Sequence, residues 1–289
     1  AHSYFLMKKI DSATPFAIEK IAKFLNIDTK RIRFAGTKDR KAITTQYISI
    51  EKCPDRIKEF YEPNIKLEFK GKCDKPIYLG MNEGNEFEIT IRNIKKTPKK
   101  IKQFLNLFDE QRFSMNNVEI GRAIIKKDFK KAVEILMRSN GYYERRLKET
   151  YEKTNNAVNS LRNVPFNVIN FFIHAYQSEI WNKCAEKIKS KKNIKLPIIG
   201  FGTEIKDKKI KKICEKVMKE EGIDYRDFII KSYPELSSEG NSRDLYAEVK
   251  NLKIGKLEND ELNPKMKKGV VKFFLGKGNY ATMGIRNMF

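Results

Sequence analysis

The sequence predicts an α+β fold, a domain of mixed or antiparallel strands with helices, interrupted by an inserted module. Three observations lead there. Strand-like segments rich in β-branched and aromatic residues gather toward the two ends of the chain, at 4–8, 43–48, 65–69, 87–92, 244–254 and 270–275. Helical periodicity dominates the stretch between them. Elements therefore come in runs, which suits α+β organisation better than a regular βαβ alternation. The chain has 289 residues, 40% of them hydrophobic, enough for one large or two ordinary domains.

Taken in order, YFLMK (4–8) reads as a short strand. A helix follows, with Thr14 as its N-cap and Pro15 at its first position, and Ile18, Ile21, Ala22 and Leu25 line one face. After RIRFAG, Ile43, Thr45 and Tyr47 alternate with Thr44, Gln46 and Ile48 in a strand. IKLEF and FEITIR are further strands, separated by LGMNEGNEF. Thr97-Pro98 opens a helix running through IKQFLNLF, and VEIGRAII and DFKKAVEILM form two more. Residues 140–160 are polar and charged and carry no assignable period. A long helix spans Pro165–Lys189, apolar nearly all round in its first half and so deeply buried. KLPIIGFGTE is a turn-rich link. DKKIKKICEKVMKE is the cleanest amphipathic helix, with Ile210, Ile213, Cys214, Val217 and Met218 on one face. DLYAEVKNLKI and VVKFFL return to strands, Val271, Phe273 and Leu275 sharing a face.

Sixty Lys and Arg face 37 acids, a net charge of +23. Charge of this size speaks to partners, and a polyanion, nucleic acid first, is the partner it fits. A lysine-rich, thermophile-like composition is the competing source of the charge. Residues 183–219 hold thirteen lysines against four acids, read equally as a solvated helix face or a phosphate-facing surface. No apolar run reaches the ~20 residues of a membrane span and no signal peptide opens the chain, so a cytoplasmic protein is expected, with a monomer favoured. The cysteines, 53, 73, 184 and 214, form no CxxC pair, and the only histidines are His2 and His174. Zinc-ligand spacing is absent; the cysteines are expected as buried thiols and His174 as a core residue. GKGNYATMG fails the P-loop spacing, and no GxGxxG opens a helix. Chemistry must then run on carboxylates, amides, lysines and aromatics, with no metal and no cofactor expected.

Six segments in order resemble the TruD family of pseudouridine synthases: AGTKDRKAITTQ (35–46), LGMNEGNEFEITIR (79–92), NLFDEQRF (106–113), NNVEIGRAIIKKDFKKAV (116–133), AYQSEIWN (175–182) and GKGNYATMGIRN (276–287). The resemblance implies a pseudouridine-synthase sheet domain over residues 1–155 and 242–289, with an α/β TRUD module inserted at 156–241. It also implies an enzyme that isomerises uridine to pseudouridine in tRNA, uridine 13 being the commonest family target. There are departures. Leu107 stands where the family has Tyr or Phe, and Asp109 and Ser114 stand where it has glycines. The family's K-x-x-P-E-D-F-like strand, whose lysine pairs with the catalytic aspartate, is not matched in this sequence, which begins after that point: either the chain is a fragment or another basic group serves.

Pseudouridine formation breaks the N1–C1′ bond, turns the base, and joins C5 to C1′. The stoichiometry calls for no cofactor. An ionised carboxylate can attack C1′, attack C6, or take a proton from C2′, and the sequence leaves these three open. Asp39 is the candidate catalytic residue. Gly36 is expected to permit the tight loop that presents it. Lys38 and Arg40, its neighbours, point to the side of an extended segment opposite Asp39 and are expected to meet RNA phosphate. A flipped pyrimidine needs an aromatic face and hydrogen bonds to its edge. By the resemblance, Phe108 and Tyr280 supply the faces and Asn106 the amide. Gln111 and Arg112 are expected as structural or phosphate contacts. The alternative reading is a non-catalytic basic RNA-binding protein or RNA chaperone that keeps the fold. A metal-dependent nuclease ranks last, because only one motif carboxylate is present.

Overall fold

The structure is a computed structural model that describes residues 1–110, 116–139 and 141–289. Gln111, Arg112 and Ser114 lie outside the described residues. The chain divides into two compact units, Ala1–Asn85 and Glu86–Phe289. The expected module boundaries at 155/156 and 241/242 both fall inside the second unit.

The first unit is one helix on one sheet. Its elements are β1 (His2–Ile10), α1 (Thr14–Leu25), β2 (Ile32–Phe34), β3 (Ile43–Glu51) and β4 (Ile65–Cys73). The strands lie in the order β2-β3-β1-β4, all pairs antiparallel, with Lys9 of β1 opposite Thr44 of β3. Alternation along β1 sends Ser3, Phe5, Met7 and Lys9 inward. Phe5, Met7, Ile48 and Ile50 pack against Ile18, Ile21 and Leu25 of α1. Ile21 is fully buried, so truncation to Ala would cost about 2–5 kcal/mol. Thr14 is not the cap of α1: Ala13 occupies that position without a side-chain bond, Pro15 sits in the first turn, and the Thr14 hydroxyl is engaged elsewhere.

The second unit carries β5 (Gly84–Ile94, of which Gly84 and Asn85 belong to the first unit), β6 (Gln103–Leu105), α2 (Asn117–Ile125), α3 (Phe129–Leu136), α4 (Tyr142–Thr154), α5 (Ala157–Leu161), α6 (Phe166–Lys187), β7 (Lys195–Ile198), α7 (Lys208–Glu221), β8 (Asn241–Asp244), β9 (Tyr246–Ile254), β10 (Glu258–Asn259), β11 (Lys267–Gly276) and α8 (Ala281–Arg286). Its larger sheet runs β10-β11-β9-β6, with β5 also on β11, and buries Val271, Phe273 and Leu275 as one face. A second core gathers around α6, where Tyr176, Ile180 and Trp181 are fully buried. Here α2 approaches so closely that a Cβ on Gly121 would overlap the Phe172 carbonyl.

Several expectations are corrected. No helix runs through IKQFLNLF: Gln103–Leu105 is a strand, and Phe104 pairs with Ala247 of β9. Ile101, Phe104 and Leu107 are spaced as on a helix, but a short apolar run fits either period, and pairing with β9 decides it. Residues 140–160, without assignable period, hold α4 and α5, and the turn-rich link holds β7, paired antiparallel with β8. Cys184 and Cys214 are buried free thiols, but Cys53 is half-buried and Cys73 exposed, because Cys73 ends an edge strand. Among the described residues, no helix is long and apolar enough to cross a membrane.

Candidate active site

Asp39 lies in the first unit, in the loop that joins β2 to β3. Its side chain and that of Arg40 are exposed, and Lys38 is half-buried. The loop is held by its backbone. The Lys38 N–H donates to Thr14 Oγ1 at 3.0 Å, a hydroxyl that also takes a bond from Gln46 Nε2 at 3.4 Å. Lys9 Nζ donates to the carbonyls of Asp39 at 2.8 Å and Lys38 at 3.4 Å. Gly80 N–H donates to the Ala35 carbonyl at 2.8 Å. Lys38 Nζ reaches Asn85 Oδ1 at 2.6 Å. Burial lowers the Lys38 pKa, and the negative charge of Asp39 opposes that. Gly36 does not adopt a positive φ, and a Cβ there would meet nothing within 4 Å. The fold of this chain therefore does not require glycine at that position.

The second group of expected residues lies in the second unit and is assembled by Arg243, in β8. Its Nη2 donates to Asn106 Oδ1 at 2.6 Å, its Nε to the Asn106 carbonyl at 2.9 Å, and its Nη1 to the Gly278 carbonyl at 2.9 Å. The guanidinium carbon stands 4.2 Å from the Phe108 ring centre, 5.6 Å from Trp181 and 5.8 Å from Tyr280. Phe108 meets Trp181 edge-on at 5.6 Å and Tyr280 at 6.3 Å. Its main chain is bracketed by Asn182, whose amide accepts from the Phe108 N–H at 2.9 Å and donates to its carbonyl at 3.0 Å. Asn106 is buried, and its Nδ2 donates to the Asp244 carbonyl at 3.1 Å. The amide is thus engaged at both ends within the protein. Asp109, at a position of departure from the family pattern, is buried and accepts from Thr282 Oγ1, with Arg286 Nη1 3.6 Å away. That carboxylate ties the strand-following turn to the terminal motif.

Asn106, Phe108 and Tyr280 are therefore brought together, while Asp39, Lys38 and Arg40 share one loop of the other unit. Sequence reasoning missed Arg243, Asn182, Thr14 and Lys9. Two signals were available. Arg is the minority among the basic residues of this chain, 14 against 46 Lys, so an isolated Arg marks a place where a planar fork is needed. Lys9 occupies an inward position of an alternating strand, where an apolar residue belongs. Among the described residues, no group of three or more His, Cys, Asp or Glu is arranged to hold a metal.

Comparison with known proteins places this architecture. The family model of tRNA pseudouridine synthase D (TruD) matches residues 1–143 and 185–288. A Nanoarchaeum equitans protein named "Probable tRNA pseudouridine synthase D" is 30% identical, over 100% of this chain and 87% of its own length. The tRNA pseudouridine synthase D of Aquifex aeolicus is 26% identical, over 100% of this chain and 91% of its own length. The crystal structure of a Methanosarcina mazei protein named "Putative tRNA pseudouridine synthase D (TruD)" superposes with a TM-score of 0.79 at 26% identity, covering 99% of this chain and 87% of that one. Fold and sequence together define an isomerase of the pseudouridine synthase class. Within that class, the chain belongs to the tRNA pseudouridine synthase D (TruD) family.

Proposed function

We propose that this chain converts uridine to pseudouridine in tRNA, at uridine 13 by family precedent, in the cytoplasm, with Asp39 as the catalytic carboxylate. The observation that carries the reading is the Asp39 loop: its side chain is exposed while its main chain is tied down on several sides. That is what a reacting group needs, since a fixed geometry removes much of the entropic barrier of a bimolecular encounter. In the reaction the N1–C1′ bond breaks, C5 bonds to C1′, N1 takes up a proton, and the C5 hydrogen is released to solvent. Asp39 assists departure of the base and is regenerated. Lys38 and Arg40 contact phosphate. Tyr280, half-buried, offers an aromatic face to an unstacked base, and Phe108, buried behind it, is the pocket wall, with Arg243 and Asn106 fixing the Phe108 ring and the turn that carries it. Residues 156–241 we assign to the inserted module.

The test is tritium release from tRNA labelled at uracil C5. Wild type should release label, and Asp39→Ala should not. Release that persists in the variant removes Asp39 from the chemistry. Binding of tRNA without release by wild type favours the RNA-binding alternative. Affinity should fall steeply with salt as lysine–phosphate contacts release counterions, and a flat response would mean that the +23 charge reflects composition alone.

A further inference from the structure

Lys9 is a fully buried lysine at the inward-facing end of β1, in the same row as Phe5 and Met7. Among the described residues, no carboxylate lies within 4 Å of its ammonium. Its partners are three main-chain carbonyls: Ser12 at 2.5 Å, Asp39 at 2.8 Å and Lys38 at 3.4 Å. An ammonium has three donors and no acceptor, so these three oxygens use it completely. Burying an unpaired charge is costly, and a methionine would fill the same row without that cost. Burial draws the Lys9 pKa below the usual lysine value; the negative charge of Asp39 opposes this and the positive charge of Lys38 adds to it. The packing of the sheet therefore does not account for a lysine here. The three carbonyls do.

Two of them flank a single Cα. The Lys38 carbonyl belongs to the peptide plane before Asp39, and the Asp39 carbonyl to the plane after it. Because each peptide is planar, holding both planes fixes φ and ψ between them, and with them the direction of the Cα–Cβ bond. The third carbonyl, Ser12, sits just before α1, whose Thr14 takes the Lys38 N–H. The start of α1 and the Asp39 loop are thus stapled to one point on β1.

We propose that Lys9 is the positioning residue of the reaction: through the two peptide planes around Asp39 it aims an exposed carboxylate that, among the described residues, makes no side-chain bond of its own. This rests on Asp39 being the reacting group.

Lys9→Met keeps the length and apolar bulk of the side chain and removes all three bonds. Turnover of C5-tritiated tRNA should show kcat lowered about 100-fold, the order expected for a misplacement near 1 Å, with KM within about threefold of wild type. Amide hydrogen exchange of the free protein should show Lys38 and Ala42 exchanging about tenfold faster, while amides in the middle of β3 are unchanged. A purely structural role would lower stability and raise exchange throughout the unit, leaving kcat per folded molecule intact. The proposal is overturned if kcat stays within about threefold, or if exchange at Lys38 and Ala42 is unaltered. Should Lys9→Met not fold, Lys9→Gln takes its place under the same criteria, and loss of fold in both overturns the proposal by assigning Lys9 to the sheet. Asp39→Ala separates the two claims. Activity surviving that change sinks the catalytic reading, whereas the exchange of the loop amides reports on the Lys9 staple whatever Asp39 does.

Discussion

The Asp39 loop and the Arg243 cluster solve the same problem in opposite ways. In the first unit the main chain is fixed and the side chain is left exposed: Lys9, Thr14 and Gly80 all hold backbone atoms between Ala35 and Asp39. In the second unit the side chains themselves are fixed, Phe108 packed on Trp181 and beneath the Arg243 guanidinium, Asn106 bonded at both ends. On the proposed reading Asp39 must form and break bonds, so it has to be aimed yet remain accessible, whereas Phe108 only walls the pocket and can be locked. The two regions teach that preorganisation can be placed on either the chain or the side chain, depending on what the residue has to do.

The sharpest way to break that contrast is Asp39→Ala. Tritium release should fall by about 10⁴-fold or more. Stability should change by less than about 0.5 kcal/mol, since the side chain is exposed. A large loss of stability, read by urea titration, would mean that the side chain is structural after all. Next comes Arg243. Arg243→Ala removes, among the described residues, the hydrogen bonds to Asn106 and Gly278 and a guanidinium–ring stack, and should cost about 2–4 kcal/mol of stability together with activity. Arg243→Lys keeps the charge but not the fork, so it should recover little of either. Full recovery by lysine would show that charge alone matters there.

How much of this was legible in the sequence follows the same division. Asp39, Phe108, Asn106 and Tyr280 stand in recognisable segments, the strands at 43–51 and 267–276 and the helix at 208–221 announce themselves by period, and the helix at 166–187 by its length and apolar first half. What was not legible is long-range. Arg243 lies 137 residues from Asn106, and no local pattern links them. Thr14 carries every mark of a helix cap, yet its hydroxyl bonds a loop 24 residues away. The segment 101–108 reads as a helix until β9 arrives to pair with it.

Smaller effects sharpen the comparison. Thr14→Val leaves the Lys38 N–H without its acceptor and should cost about 1 kcal/mol, with kcat falling more than KM rises. An unchanged kcat would show that the Thr14 bond takes no part in aiming Asp39. Acid should strain the second unit. Burial raises the pKa of Asp260, but hydrogen bonds from the Asn93 and Leu262 N–H groups, Asn263 and Arg92 outweigh it and hold the carboxyl below its usual range. Its neighbour Glu261, bonded by Arg92 and Lys268, is held down at about 2. Both are depressed, so their contribution is complete above the unfolded carboxylate range of about 4 and is lost as pH falls through the folded values. Circular dichroism between about pH 4 and pH 2 should show Asp260→Asn less acid-sensitive than wild type. An identical acid transition in the variant would exclude Asp260 as its origin. The smallest expected effect is Gly36→Ala, which should leave stability within about 0.5 kcal/mol because nothing occupies the space of its Cβ. A loss of turnover in that folded variant would show that the nucleic acid itself approaches the Gly36 backbone.

The single tryptophan of the chain, Trp181, stands edge-on to Phe108, lies 5.6 Å from the Arg243 guanidinium, and donates its indole N–H to the Leu196 carbonyl. Its emission therefore reports on one defined neighbourhood and nothing else in the molecule. Excitation at the indole band gives an intrinsic optical probe: on the proposed reading, a nucleobase settling against Tyr280, which meets Phe108 edge-on, would alter the field and the quenching around Trp181, and the encounter could be timed in a stopped-flow cuvette without attaching a dye.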